Sequence, residues 1–166
     1  MSPSGFQGGS PEEKTMRRKD REITDLNRIE EILKECEAAS FAFGGDPYVI
    51  PLSYGFERAG DRFTLYMHGA LEGEKIERIK ADPRGAFTAY TNTHVYAEGS
   101  GGSTSFDCVC GKGSYRLLEG EEKIHALKVL MAHYMPGREF AFPQKMVDET
   151  AVIALELDEI TGKHHD

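Results

Sequence analysis

The sequence predicts a mainly β domain, an antiparallel barrel with helices packed against its outside. Three observations predict it. Strand-like segments outnumber helical ones. The first three follow one another through turns too short for a parallel crossover, which needs about a dozen residues or more. The helical stripes are segregated from the strands rather than alternating with them, which is not the pattern of βαβ units.

The chain opens on "MSPSGFQGGSPEEK", rich in Gly, Ser and Pro. Residues 1–15 read as a flexible tail and residues 16–166 as a single domain. Arg17, Arg18, Lys19 and Arg21 form the dense basic cluster of an acidic chain. It reads either as a solvated, ion-paired face or as an arm that reaches an anionic ligand. A helix is predicted from Asp25 to about Ala38. Leu26, Ile29, Ile32, Leu33 and Cys36 recur there at three- and four-residue steps. Thr24 or Asp25 can cap its start.

"SFAFGGDPYVIPLSYGFE" holds two strand segments around the turn Gly44-Gly45-Asp46-Pro47. "RAGDRFTLYMH" adds a turn and a third strand, completing a meander. Pro51 cannot donate to a ladder, so its position belongs at an edge, a bulge or a ligand. A short amphipathic helix spans Glu72 to Lys80 and stops ahead of Pro83. "GAFTAYT" is another strand, and "NTHVYAEGSGGSTS" reads as a polar, mobile loop. "FDCVCGKGSYRLLEG" returns to strand, with a bulge or close approach at Lys112-Gly113. "EEKIHALKVLMAHYMP" is the clearest helix; Ile124, Leu127, Leu130, Met131 and Tyr134 make its stripe and Pro136 ends it. The last strand runs from Ala151 to about Leu157, and "ITGKHHD" follows with His164 and His165 in a polar tail.

Composition narrows the function. The 166 residues carry a net charge of −8, with 39% apolar and 29% charged residues. That is the balance of a soluble globular chain, and the charge argues against a nucleic-acid binder. No apolar run approaches the roughly 18 residues of a membrane span, and no secretory pattern opens the chain. The three cysteines match no disulfide framework, so a reducing cytoplasm is expected. Cys108 and Cys110 share one strand face and read as buried. No second Cys/His pair completes the four ligands of a zinc site, so no metal is expected.

The stretch "LYMHGALEGEK" raises the sharpest question. A strand ends at His68, and Lys75 stands on the first turn of the next helix. A lysine charge and the free N–H groups of a helix start suit a phosphate. The plainer reading is a polar strand end and a surface lysine.

Four segments in order carry a resemblance: "MRRKDREITDLNRIEEIL", "PYVIPLSYGFE", "LYMHGALEGEKIERIKADPR" and "GKGSYRLLEGEEKIHALKVLMAHYMP". Together they resemble the FMN-binding split-barrel family related to pyridoxamine 5′-phosphate oxidase, in its nitroimidazole-resistance branch. The resemblance runs from about Met16 to Gly162. It implies a six-stranded antiparallel split barrel and a homodimer with FMN at the subunit interface. By that pattern Val49, Ile50, Pro51, Leu52 and Ser53 lie beside the flavin ring. Met67, His68, Gly69 and Lys75 belong to the segment that takes the phosphate.

The chain departs from the pattern at Phe106-Asp107-Cys108-Val109, where relatives often carry a Tyr-Arg-Ser-Val-like run. An acid at Asp107 would repel phosphate, and Thr104 and Ser105 are the substitute hydroxyl donors. The arginine-rich ending that binds substrate phosphate in true pyridoxamine-phosphate oxidases is also missing, so that reaction is not assigned.

The resemblance implies a flavin-dependent oxidoreductase that passes electrons to a small acceptor such as a nitro compound or quinone. NAD(P)H, if it is the donor, docks on the flavin face, because no Gly-rich dinucleotide motif is present. A flavin-binding or storage protein without turnover is the second reading. A haem-binding split barrel using His94 is the third. No catalytic acid or base is identifiable, and His68 is a binding residue first. The matching histidine in nitroimidazole-resistance relatives is linked to reductive chemistry, so a catalytic role for it stays open.

Overall fold

The computed structural model describes residues 16–166; the expected tail, residues 1–15, lies outside the described residues. A short 3-10 turn, Lys19–Arg21, leads into β1 (Glu22–Ile23) and α1 (Leu26–Glu35). β2 (Ala39–Phe43), β3 (Val49–Leu52), β4 (Gly55–Ala59) and β5 (Arg62–Ala70) follow. Then come α2 (Glu74–Ala81), β6 (Arg84–Glu98), β7 (Gly101–Leu117), α3 (Gly120–Tyr134), α4 (Gln144–Asp148) and β8 (Thr150–His165).

The eight strands form one sheet in the order β3-β2-β6-β7-β8-β5-β4, with β1 on β8. Every ladder is antiparallel. The expected strand count of six is therefore corrected to eight, and the sheet is not closed, because β3 and β4 share no ladder. β1 accounts for one extra strand. The other arises because "YVIPLSYGFE" breaks at Ser53-Tyr54 into β3 and β4.

That break shapes the molecule. β3 and β4 lie at opposite ends of the sheet, yet only Ser53 and Tyr54 separate them. Three Cα steps reach about 11 Å at most, so the sheet must curl until its ends nearly meet. Tyr54 turns inward at the gap and is fully buried. Its hydroxyl donates to Leu33 O at 2.6 Å, and its N–H donates to Tyr134 Oη at 2.9 Å. The expected three-strand meander is thus two hairpins, β2/β3 and β4/β5, on opposite edges of a curled sheet.

The curl encloses Phe41, Phe63, Leu65, Met67, Val109, Ile153 and Leu155, all essentially without solvent exposure. α1 adds Ile29, Ile32 and Leu33 to the same core. Each such side chain contributes roughly 1.5–3 kcal/mol by burial. The Asp25 carboxylate accepts from Asn27 N–H at 2.9 Å, the cap the sequence predicts. A second cluster of Leu118, Ala126, Leu127, Val147, Val152 and Ala154 lies between the sheet and helices α3 and α4.

Three further expectations change. The mobile loop is instead the outer half of a long β6/β7 ribbon, paired from Arg84–Ser114 out to Glu98–Gly101, with a bulge between Thr91 and His94. The polar tail is the continuation of β8, in which Lys163, His164 and His165 pair with Cys108, Asp107 and Phe106. Of the strand cysteines, Cys108 is half-buried and Cys110 exposed, while only Cys36 is buried. The bulge expected at Lys112-Gly113 is present. A Cβ on Gly113 would sit 1.8 Å from Glu156 O, so only glycine fits there.

Candidate functional site

β5 ends at Ala70, and the chain turns through Gly73, at φ 125°, into α2. The N–H groups of Ile76 and Glu77 return to Gly73 O, and no side chain caps the helix. The helix start therefore presents its first N–H groups and the positive end of its dipole outward. Lys75 folds back from this turn across the end of β5. Its Nζ would lie 2.6 Å from a Cβ on Gly69, so the bare glycine makes room for the ammonium.

Lys75 is half-buried, and burial pushes its pKa down from the usual lysine value. It forms no ion pair with any described residue. Neighbouring cations differ: Arg78 pairs with Glu74 at 2.8 Å and Lys80 with Glu77 at 3.6 Å. A desolvated ammonium without an anion is costly, and an external anion would relieve that cost.

β3 is an edge strand whose only ladder partner is β2. Val49, Pro51 and Ser53 face solvent, Val49 with 61% of its surface exposed. Ile50 and Leu52 are half-buried against the core. Pro51 sits at the edge, as its missing N–H requires. The N–H and C=O groups along the outer side of β3 have no ladder partner among the described residues.

Arg78 joins these two features, and sequence reasoning missed it. From α2 its Nη1 donates to Gly44 O at 3.2 Å and Asp46 O at 2.6 Å, and the guanidinium lies 4.6 Å over the Tyr48 ring. The turn leading into β3 is thus fastened to the helix that carries Lys75. The signal in the sequence was only a charged helical position. What it grasps, a carbonyl-rich Gly-Gly-Asp turn, lies more than thirty residues away in the chain.

The remaining expected residues lie elsewhere. Met67 is fully buried in the core. His68 is exposed and, by strand alternation, projects from the face of β5 opposite to the one Lys75 covers at Gly69. Thr104 and Ser105 are half-buried on β7. Ser105 Oγ donates to His94 O at 3.5 Å, and Thr104 O accepts from His165 Nδ1 at 2.7 Å. Two strands, β6 and β2, separate them from β3 within the chain. His94 is exposed on the ribbon and stacks on Tyr96 at 6.3 Å.

Asp107, the acid expected to repel a phosphate, is held by partners within the chain. It is 2% exposed and points toward α1. It accepts from Arg28 Nη2 at 3.1 Å, Asn92 Nδ2 at 2.8 Å and His164 Nδ1 at 2.8 Å. Burial pushes its carboxyl up, but the bonds from Asn92 and His164 and the Arg28 charge outweigh it and hold the pKa below the usual range.

A cleft of about 940 Å³ lies elsewhere, between α1, β4 and α3, over Phe56, Arg58 and His133. Its cations are already engaged: Glu30 pairs with Lys34 at 2.7 Å and Arg58 at 3.3 Å. The Lys75 corner differs in holding a half-buried ammonium without an ion pair among the described residues.

Comparison with known proteins agrees with this architecture. The fold matches the crystal structure of a candidate 5-nitroimidazole antibiotic resistance protein from Bacteroides thetaiotaomicron, with TM-score 0.77, 29% identity and 86% of each chain covered. It also matches an FAD- and haem-binding protein from Mycobacterium smegmatis, with TM-score 0.75, 22% identity, and 88% of this chain and 74% of that one covered. The flavocytochrome Anf3 from Azotobacter vinelandii matches with TM-score 0.75 and 22% identity, over 92% and 72% of the two chains. At 22% identity these last two likenesses speak to the fold alone. A search of curated proteins returns no match. The sequence profile described as pyridoxamine 5′-phosphate oxidase matches residues 26–164, from the start of α1 almost to the end of β8. The curled, unclosed sheet and a match over nearly all the described residues lead to one conclusion: the chain belongs to the pyridoxamine 5′-phosphate oxidase family.

Proposed function

We propose that the protein binds FMN and works as a flavin-dependent oxidoreductase toward a small acceptor such as a nitro compound or quinone. The observation that carries the reading is the half-buried Lys75 ammonium, which has no anion of its own at the start of α2. Family membership and the likeness to the nitroimidazole-resistance structure supply the context.

The donor set suits the cofactor. Lys75 and the first N–H groups of α2 take the phosphate. The outer edge of β3, from Val49 to Ser53, flanks the ring with backbone donors and acceptors. Arg78 fixes the distance between these two anchors through the turn at Gly44 and Asp46. The isoalloxazine, when bound, supplies the redox chemistry. The chain's own part is to bind, orient and shield it. Exposed Val49 and the unpaired edge of β3 favour a second subunit that covers the ring, so the working unit is a homodimer with FMN between the barrels. Thr104 and Ser105, distant from β3 in their own chain, would reach the cofactor from that second subunit.

The absorption spectrum of the purified protein, followed by anaerobic addition of NAD(P)H, tests the reading. A flavin spectrum that bleaches and recovers on adding a quinone is expected. A flavin spectrum that never bleaches with any donor would leave a binding or storage protein, and a Soret band would replace flavin with haem.

A further inference from the structure

A second cationic position lies on the other side of α2. Lys123, in the first turn of α3, is 5% exposed, the one lysine buried among the described residues. It forms no ion pair and no side-chain hydrogen bond with any described residue. Its hydrocarbon stem is buried, and its ammonium keeps contact with water at the cleft instead of lying sealed in the core. Lys123 lines a cleft of about 220 Å³, shared with Lys80, Leu71, Ile76, Leu118 and Val152. At about 30 Å³ per water, that is room for roughly seven waters, the size of a small organic molecule. No side chain caps α3, so its first N–H groups add donors near the same position.

We propose that the cleft between α2 and the first turn of α3 binds a small organic monocarboxylate, with its carboxylate on Lys123 and its hydrocarbon body on Leu71, Leu118 and Val152. The apolar walls suit a hydrocarbon part, and the unpaired ammonium that opens into the cleft suits one anionic group. Glu119 also lines the cleft and does not pair with Lys123, so a second carboxylate on the ligand meets repulsion. Lys80 is already engaged by Glu77 at 3.6 Å and faces the rim. This site is independent of the Lys75 corner: Ile76 and Lys80 line it, and Lys75 does not.

Benzoate and isophthalate serve as the probes, titrated into the purified full chain. Saturable benzoate binding is expected, with isophthalate weaker by about tenfold or more, the effect of one unfavourable charge contact. Lys123→Met should lose benzoate affinity by about tenfold or more. Methyl NMR signals of Leu118 and Val152 should shift with benzoate in the unmutated protein, which locates the site even if the variant fails to fold. Binding that leaves those methyls unmoved, equal affinity in a folded Lys123→Met, or no saturation at millimolar benzoate would each overturn the proposal.

Discussion

Two charged centres of this molecule, Lys75 and Asp107, are opposites. Asp107 is a buried anion saturated with partners: Arg28, Asn92 and His164 all reach it within 3.1 Å. Lys75 is a half-buried cation with no described partner, its ammonium parked over Gly69. The saturated centre ties α1, the bulge of the ribbon and the end of β8 into one knot. The unsaturated centre ties nothing. A buried charge whose partners are all in the chain serves the fold, whereas a half-buried one without a partner leaves room for an external anion.

Breaking the saturated centre should have the largest effect. Asp107→Ala leaves Arg28 and His164 facing each other without their carboxylate. A loss of about 2–3 kcal/mol in unfolding free energy is expected, below the scale for a fully buried pair because Arg28 and His164 are more than a third exposed, read from urea denaturation. Retention of full stability would show that the knot is ornamental. Arg78→Met should come next, at about 1–2 kcal/mol, for two carbonyl bonds and a ring contact. It should weaken FMN and riboflavin alike, because it loosens β3 and not the phosphate contact. A loss confined to FMN would place Arg78 at the phosphate instead.

Lys75→Met sharpens the contrast from the other side. In flavin-free protein it should leave stability within about 0.5 kcal/mol or raise it, since no intramolecular partner is lost. A melting temperature that falls as far as that of Asp107→Ala would erase the distinction between the two centres.

The smallest effect is one of pH. Hydrogen bonds to Asp107 and Asp166 raise the His164 pKa above the ordinary imidazole value. Its contribution is full below about pH 6.5 and fades as pH rises through the raised folded value. Asp107, held low, contributes above about pH 3.9 and loses its contribution as pH falls through its depressed value. The contact is therefore strongest between these limits. His164 is about half exposed, so solvent screening keeps the effect to a fraction of a kcal/mol. The stability gap between the natural chain and His164→Gln should shrink from pH 6 toward alkaline pH; a gap that widens would contradict the sign.

Much of this was legible in the sequence where local rules decide. The Asp25 cap, the Ile29-Ile32-Leu33 stripe, the edge position of Pro51 and the Lys112-Gly113 bulge all follow from spacing and backbone chemistry. What failed depends on partners distant in the chain. "NTHVYAEGSGGSTS" has loop composition, yet it is held as strand by register across β6 and β7. "ITGKHH" looked like a tail because nothing local says that β7 extends far enough to pair with it. Tyr54 reads as one more strand residue, and its burial against α1 and α3 is what splits the strand and sends the chain across the barrel. Strand alternation alone would have separated His68 from Gly69. The fold-back of Lys75 onto Gly69 could not be read from the chain.

The proposed role of Lys75, to hold the phosphate of FMN, can be tested by binding alone. The most direct measurement is the affinity of the flavin-free protein for FMN and for riboflavin, before and after Lys75→Ala. Riboflavin has the ring and ribityl chain but no phosphate. A loss of roughly 1.5–3 kcal/mol is expected for FMN, the range for hydrogen bonds to charged groups, with riboflavin nearly unchanged. Equal losses for both ligands, or no loss for either, would contradict it.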